Sequence, residues 1–329
     1  MIVQAKEAEK YFFCQGRRYA EGGRLFLNPS GASVKGRFCG SKLILTVFSE
    51  PIDKGRNAYV RLTVDGKPGR IRLSQGEKVI CRTLAEGEHL FEVIKLTESA
   101  NNTFGFCSAE TDGAFVPYKE EPRLKIEFIG DSITTGFGVL AKEEFGEYRT
   151  KEQDVTKAFP YLVSRELNAE YNVIAAGGWG IYKSKYSPYA IPDFYANVDL
   201  TRNTQKQDDA AFTPDLCVVT LGTNDFSYLS DLSAEKRVEE RAEVKRRFIA
   251  FLQGLLTKKV PVILVYGFFE YPDLGVMTEE VWREVDSPLL STLEVKSTAS
   301  LKDIRAGHPG KRCHRMAARR LVKTIRTLF

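Results

Sequence analysis

The chain has 329 residues, enough for two domains, and its 43% hydrophobic and 28% charged residues are typical of a folded globular protein. The net charge of +5 is small for this length, and the longest basic cluster, Lys311 to Arg326, alternates with apolar residues at helical spacing. This pattern argues against a nucleic-acid partner. No window reaches the roughly 18 apolar residues of a membrane-spanning helix, so we expect no membrane partner either.

The N-terminal segment MIVQAKEAEKYFFCQG mixes acidic with basic residues and lacks the apolar core of a signal peptide. The compartment therefore stays open between the cytoplasm and secretion with a leader removed, and the oligomeric state is open as well. The six cysteines are widely scattered, without the close spacing of a zinc site. We expect reduced thiols, no metal and no cofactor.

The N-terminal third predicts short strands separated by glycine-containing turns. Gly36 to Phe48 is typical of a turn followed by a strand, and Ala58 to Val64 alternates apolar and polar residues before the turn pair Asp65-Gly66. A further strand is predicted from His89 to Leu96, after a turn at Glu86-Gly87. Several such strands in about a hundred residues predict a β-sandwich or jelly roll.

A charged segment with two prolines, residues 117–123, separates this pattern from a different one, so we predict a β-sandwich domain over residues 1–118 and a second domain over residues 119–329. In the second part, buried strands alternate with helices. Strands are predicted at Leu124–Ile129, Tyr171–Ala176, Leu216–Leu221 and Val260–Tyr266, and helices at Ala158–Leu167 and Glu235–Leu256. This alternation predicts an α/β/α domain with a parallel sheet, whose ligands bind at the carboxyl ends of the strands.

Four polar motifs follow these strands. The first is Phe128-Ile-Gly-Asp-Ser-Ile-Thr-Thr-Gly136, in which a strand stops at Gly130 and Ser132 stands at the start of a helix. A hydroxyl there is accessible above the sheet, and the backbone N–H groups of the next turn can donate to an oxyanion. The alternative is a simple helix cap.

The second motif is Val218-Val-Thr-Leu-Gly-Thr-Asn-Asp-Phe226, where the side-chain amide of Asn224 can donate to an oxyanion. The alternative is an Asx turn at the end of a strand. We expect Asp131 and Asp225, beside Ser132 and Asn224, to hold their loops by hydrogen bonds rather than to act in catalysis.

The third motif is Val173-Ile-Ala-Ala-Gly-Gly-Trp-Gly180, whose glycines allow backbone amides to approach a ligand closely. The N–H of Gly178, or alternatively that of Gly180, is the candidate oxyanion donor. Trp179 either offers a flat face to a sugar ring, which is the interpretation we favour, or caps the core.

The fourth motif is Gly307-His-Pro-Gly310, ahead of a helix through Met316, Leu321 and Ile325. Of the three histidines, His89 lies in the strand-rich domain and His314 lies within the last helix, which leaves His308 as the best base. A serine needs such a base to become nucleophilic at neutral pH.

In this order, the four motifs resemble the sequence blocks of the SGNH hydrolase superfamily. That resemblance implies Ser132 as nucleophile and His308 as general base. It also implies an oxyanion hole made by the N–H groups of Ser132 and Gly178 and the side chain of Asn224.

The N-terminal segments Gly-Arg-Phe-Cys-Gly-Ser, Thr63-Val-Asp-Gly66 and Glu86-Gly-Glu-His-Leu90 extend the resemblance to the second family of carbohydrate esterases. So do Ser187–Tyr195 and the Thr213-Pro-Asp run. This family joins a jelly roll to an SGNH domain and removes acetyl groups from polysaccharides such as xylan and glucomannan, often from the sugar 6-position. The resemblance implies an acetylated oligo- or polysaccharide as substrate.

One position departs from the superfamily pattern. An aspartate usually stands three residues before the histidine, but that position holds Arg305 here, and Asp303 is out of register. By the resemblance, a Ser-His dyad remains, in which a backbone carbonyl orients the imidazole. We expect the Arg305 side chain to point away from His308, since a nearby cation would oppose protonation of the imidazole.

Two other functions stay open: an SGNH esterase acting on another small ester, such as a lipid or thioester, and a non-catalytic carbohydrate-binding relative. The missing aspartate favours the second of these. The joint retention of Ser132, Asn224 and His308 argues against it.

Overall fold

The structure, a computed structural model, describes residues 1–122, 124–202, 205–208 and 211–329. The described chain forms two large sheets in succession. The first is antiparallel and holds the strands up to Val116, and the second is parallel and begins at Leu124. The predicted boundary at residues 118–119 falls between the two sheets, and Arg123 of the predicted linker lies outside the described residues.

The first sheet curls around one apolar core. Its ten strands in the described chain are β1 (Ile2–Gln4), β2 (Phe13–Gln15), β3 (Tyr19–Glu21), β4 (Arg24–Phe26), β5 (Ser33–Ser49), β6 (Ala58–Val64), β7 (Lys67–Leu73), β8 (Gly76–Lys95), β9 (Gly105–Thr111) and β10 (Ala114–Val116). Alternate residues of β6 point into the core, where Val60 and Leu62 belong to the same apolar cluster as Phe38 and Phe91. The predicted sandwich-like domain is confirmed.

Two details of the predicted strands are wrong. The segment from Gly36 to Phe48 does not begin with a turn, because strand β5 runs without interruption from Ser33 to Ser49. Glu86-Gly87 is not a turn either, because β8 is continuous through it. Gly87 pairs with Gly40, where the register of β5 against β8 shifts. Glycine in a strand marks a bulge as readily as a turn, and the bulge is what forms here.

The second sheet has the order β12-β11-β13-β14-β15, and each neighbouring pair is parallel. Its strands in the described chain are β11 (Leu124–Gly130), β12 (Ala169–Ala175), β13 (Leu216–Thr220), β14 (Val262–Tyr266) and β15 (Leu290–Glu294). The first four match the predicted strands to within two residues. Buried parallel strands are continuous apolar runs, which makes them easy to recognise in a sequence.

The helices of the described chain are α1 (Ala8–Tyr11), α2 (Ser132–Thr135), α3 (Phe159–Leu167), α4 (Ile191–Phe194), α5 (Thr223–Leu229), α6 (Ala234–Leu256), α7 (Pro272–Val285) and α8 (Lys311–Ile325). Three 3₁₀ turns lie at Ala5–Glu7, Thr150–Glu152 and Val155–Lys157. No helix in these ranges has the length and apolar character needed to cross a bilayer.

The parallel sheet has a separate core on each face. On one face Phe128 and Val218 pack with Phe159 of α3, while on the other Ile129 and Val219 pack with residues of α6 and α7. This gives the predicted three-layer α/β/α arrangement. The carboxyl ends of β11, β12 and β13 lie side by side, so that the turns that follow them meet at one edge.

The two domains are joined by polar contacts. The Arg61 guanidinium of β6 donates to Thr156 Oγ1 and to the Tyr161 hydroxyl, both at 2.8 Å. The Tyr171 hydroxyl of β12 donates to the Gly31 carbonyl at 3.1 Å. These contacts fix the strand-rich domain against the α/β domain.

Candidate active site

Ser132 follows β11, an interior strand of the parallel sheet that lies between β12 and β13. β11 ends at Gly130, and Ser132 opens the one-turn helix α2. The carboxylate of Asp131 caps that helix by accepting the Ile133 N–H at 2.9 Å. Ser132 is 7% exposed and lines a surface cavity.

His308 is presented by a tight hairpin. Ile304–Arg305 pairs with His308–Pro309, and the two turn residues, Ala306 and Gly307, both have positive φ (48° and 73°). Positive φ at both central positions is the mark of a type I′ turn, which suits a two-residue hairpin loop. Amide groups of the turn donate to the carbonyls of Glu143 and Glu144, at 2.9 and 2.6 Å, so a neighbouring loop holds the hairpin.

The hairpin brings His308 onto Ser132. Nε2 lies 2.9 Å from Ser132 Oγ, and Nδ1 lies 3.1 Å from the Ala306 carbonyl oxygen. Because a carbonyl can only accept, Nδ1 carries the proton and Nε2 is the acceptor for the serine proton. This geometry can activate a serine as a nucleophile, and a backbone carbonyl fills the orienting position.

Burial lowers the pKa of His308 to about 4. The imidazole is therefore neutral at pH 7 and able to accept a proton. The other two histidines lie elsewhere: His314 Nδ1 accepts the Phe159 N–H at 3.3 Å, and His89 Nδ1 lies 2.6 Å from Asp65.

The two charged neighbours of the hairpin do not touch the imidazole. Asp303 accepts the Cys313 N–H at 2.9 Å and so caps helix α8. The Arg305 guanidinium donates to the Ile304 carbonyl at 2.7 Å. The side chain of Arg305 is thus engaged on its own strand.

Asn224 lies at the start of α5, next to the serine motif. Its Nδ2 donates to the Trp179 carbonyl at 2.8 Å and lies 3.3 Å from Asp131. The longer contact leaves one N–H of the amide weakly held. This group can turn toward a charge that develops on a ligand bound at Ser132.

The glycine segment is shaped by Asp225. This buried carboxylate accepts the N–H groups of Ile181, Tyr182 and Lys183 at 2.8, 2.8 and 3.1 Å. A Cβ on Gly180 would lie 2.5 Å from the same carboxylate, so Gly180 serves this close packing. Gly178 has a φ of +80° and lines the cavity above Ser132, which makes it the better placed of the two candidate donors.

The prediction that Trp179 offers a flat face to a sugar is corrected. Its side chain is 4% exposed, and its ring packs against Tyr189 and Phe194 with centroids 5.1 and 5.2 Å away. The residue caps the core, as the alternative interpretation held. Tyr186, which is 64% exposed, lines the cavity instead.

The four predicted motifs meet in one cavity of about 680 Å³, lined by Ser132, Gly178, Asn224 and His308. The strand-rich domain supplies part of its wall through Arg56, Glu98 and Asn101. Glu98 accepts the Gly177 N–H at 2.7 Å, next to the candidate oxyanion donor. Sequence reasoning missed these three residues, because nothing in their local pattern distinguishes them from ordinary loop residues.

Two family comparisons agree with this architecture. The GDSL-like Lipase/Acylhydrolase family matches residues 128–293, which include three of the four motifs. The Carbohydrate esterase 2 N-terminal family matches residues 14–118, the strand-rich domain.

Individual relatives are similar over part or all of the chain. Cellulase/esterase CelE of Acetivibrio thermocellus is 28% identical over 60% of this chain and 24% of its own length. An acetylxylan esterase / glucomannan deacetylase of Cellvibrio japonicus is 29% identical over 60% of this chain and 56% of its own length. This chain thus spans less than two thirds of either relative.

The fold has close neighbours among solved structures. An acetyl xylan esterase from the rumen bacterium Butyrivibrio proteoclasticus superposes with a TM-score of 0.88 at 20% identity, covering 100% of this chain and 99% of the other. The chain belongs to the GDSL-like lipase/acylhydrolase family and carries the N-terminal domain of family 2 carbohydrate esterases.

Proposed function

We propose that the chain is a serine esterase that removes acetyl groups from O-acetylated carbohydrate through a Ser-His dyad. The observation that carries the proposal is the 2.9 Å contact between Ser132 Oγ and His308 Nε2 at the floor of an open cavity. The names of the relatives, acetylxylan esterase and glucomannan deacetylase, support the substrate class.

In the proposed mechanism, His308 Nε2 takes the proton of Ser132 while Oγ attacks the acetyl carbonyl carbon. The oxyanion of the tetrahedral intermediate accepts from the N–H groups of Ser132 and Gly178 and from Asn224 Nδ2. The intermediate collapses, the imidazolium protonates the leaving sugar oxygen, and an acetyl-serine remains. A water molecule, deprotonated by His308, then attacks the acetyl carbonyl and acetate leaves.

The residues that line the cavity support a carbohydrate as the substrate. Arg56 lines the same cavity as Ser132, and the exposed ring of Tyr186 lies at the side of Gly178. Polar donors combined with an aromatic face suit sugar hydroxyls and sugar rings better than an acyl chain. We propose xylan- or glucomannan-type oligo- and polysaccharides as substrates, including those acetylated at the sugar 6-position.

The first test compares the wild type with Ser132→Ala on an activated aryl acetate, and then measures acetate release from acetylated xylan and glucomannan. We expect the substitution to lower kcat at least about 10⁴-fold, because the nucleophile is lost. Ser300→Ala, at an exposed serine that does not line the cavity, should keep wild-type activity.

The results distinguish the open alternatives. A wild type that is inactive on every acetate but binds the polysaccharides would favour the non-catalytic carbohydrate-binding relative. Activity on aryl acetate without acetate release from either polysaccharide would favour an esterase for another small acyl ester.

A further inference from the structure

The imidazole of His308 is flanked by two aromatic rings. The Phe137 ring lies against it with a centroid separation of 4.1 Å and an interplanar angle of 34°. The Phe269 ring meets it edge-on at 6.1 Å and 85°. Phe137 stands five residues after Ser132, and its N–H donates to the Ser132 carbonyl at 3.0 Å, so one short segment carries both the serine and the ring that covers the histidine.

The ring of Phe137 is also packed on the face opposite His308. Its other face stacks on Tyr148, with a centroid separation of 4.1 Å and an interplanar angle of 19°. The Arg56 guanidinium of the strand-rich domain lies 4.6 Å from the Tyr148 ring centroid. We call the series Arg56, Tyr148, Phe137 and His308 the ring stack.

Hydrogen bonds fix the middle of the ring stack. The Tyr148 hydroxyl donates to Gln153 Oε1 at 2.7 Å and accepts from Asn101 Nδ2 at 2.9 Å. Burial raises the pKa of Tyr148 well above its ordinary value, so the ring stays neutral. A tyrosine held at its hydroxyl and on both faces leaves Phe137 little freedom to move away from His308.

In the part of the chain that the structure describes, the electrostatic environment of His308 lacks a hydrogen-bonded charge that would stabilise the imidazolium, and the ring stack can supply part of that stabilisation. When Ser132 loses its proton, His308 becomes a cation in a buried site where a triad would place a carboxylate. The Ala306 carbonyl fixes the tautomer but carries no charge. The titratable side chains on the elements that line the cavity or pack against the hairpin include Arg56, Glu98, Asp131, Glu143, Glu144, Tyr148, Tyr186, Asp225, Glu270, Tyr271, Asp303, Arg305 and His314. Among the described residues, none of these forms a hydrogen bond to the imidazole.

We infer that Phe137 is a positioning residue that holds the His308 imidazole on Ser132 and stabilises the imidazolium through its ring face, with Tyr148 and Arg56 fixing Phe137. This role rests on the proposed Ser132–His308 chemistry. A cation against an aromatic face is stabilised by about 0.5 to 2 kcal/mol, which corresponds to about 2- to 30-fold in rate.

The test compares Phe137→Leu, which keeps apolar bulk without a ring, with Phe137→Tyr, which keeps the ring. On an activated aryl acetate, whose small acyl group needs few contacts, Phe137→Leu should lower kcat about 2- to 30-fold and change KM less. The acid limb of kcat/KM should move to lower pH, because the imidazolium has lost stabilisation. Phe137→Tyr should restore both kcat and the pH profile toward those of the wild type.

Wild-type kcat and pH profile in Phe137→Leu, with Ser132→Ala inactive, would overturn the role of the ring stack and leave the esterase proposal standing. Full activity in Ser132→Ala would instead overturn the proposed function itself. If Phe137→Leu does not fold, Tyr148→Leu removes the supporting ring. A lower kcat with the acid limb at lower pH supports the inference, and an unchanged profile refutes it.

Discussion

The proposed general base of this site, His308, has an unusually low pKa. Burial lowers the pKa of His308 to about 4, from an ordinary value near 6.5. As the pH falls through the pKa, the imidazole gains a proton and no longer accepts one from Ser132. We therefore predict that kcat/KM on an aryl acetate stays high down to about pH 5 and falls below it, which a pH–rate profile measures.

Asp131 provides the control for this profile, since burial raises the pKa of its carboxyl to about 7. If protonation of Asp131 governed the rate, the acid limb would lie near pH 7 and disappear in Asp131→Asn. A limb below pH 5 that persists in that variant assigns it to His308.

Single residues also show where sequence reasoning stops. The roles expected for Ser132 and His308 predicted that the two side chains meet, and they do so although 176 positions separate them. Trp179 was misread because an aromatic residue between glycines has the same sequence pattern whether it faces a ligand or the core. Its burial depends on Tyr189 and Phe194, which follow ten or more residues later.

At the scale of elements, the glycine segment after β12 has little steric freedom. A Cβ on Gly178 would lie 2.9 Å from Tyr186 Cβ, and φ is +80°. We predict that Gly178→Ala shifts this segment and lowers kcat about 10²-fold, as misplacement by about 1 Å can do. Steady-state kinetics on an aryl acetate measures the effect.

Gly254→Ala is the matched control, because Gly254 lies in the exposed part of α6 with open space around its Cα. Alanine favours the helix there by about 1 kcal/mol, so this variant should be slightly more stable and fully active. If kcat is equal in the two variants, the Gly178 N–H does not contribute to the proposed oxyanion hole.

Elements that carry their own signal in the sequence were predicted well. β13 is a run of apolar residues that ends in the Asn224 motif, and α6 has clear start and amphipathic signals. The curled sheet was predicted less accurately, because whether Gly87 makes a turn or a bulge depends on the strand opposite it. That strand, β5, places Gly40 there and keeps β8 continuous.

At the scale of the whole molecule, the strand-rich domain is part of the site. Glu98 accepts the Gly177 N–H at 2.7 Å with one oxygen and the Asn101 amide at 2.6 Å with the other. In Glu98→Gln, an amide NH₂ must face one of these donors. We predict a fall in kcat of about 10-fold, from about 1 to 3 kcal/mol of lost hydrogen bonding, while the fold is retained.

Glu92→Gln is the control for this prediction. Glu92 also lies at the domain junction but lines a separate cavity with Lys35 and Tyr171. Its substitution should leave kcat unchanged. If the kcat values of Glu98→Gln and Glu92→Gln are equal, the strand-rich domain supports the fold without shaping the oxyanion hole.

The sequence by itself determined the two kinds of sheet and the order of the four motifs, and it named Ser132 and His308 as the candidate nucleophile and base. These features are local, since strand periodicity and motif spacing depend on neighbouring residues. Tertiary structure alone decided that Ala306 orients His308, that Phe137 covers it and that Glu98 reaches Gly177. Each of these depends on contacts between segments brought together by packing, which no local pattern encodes.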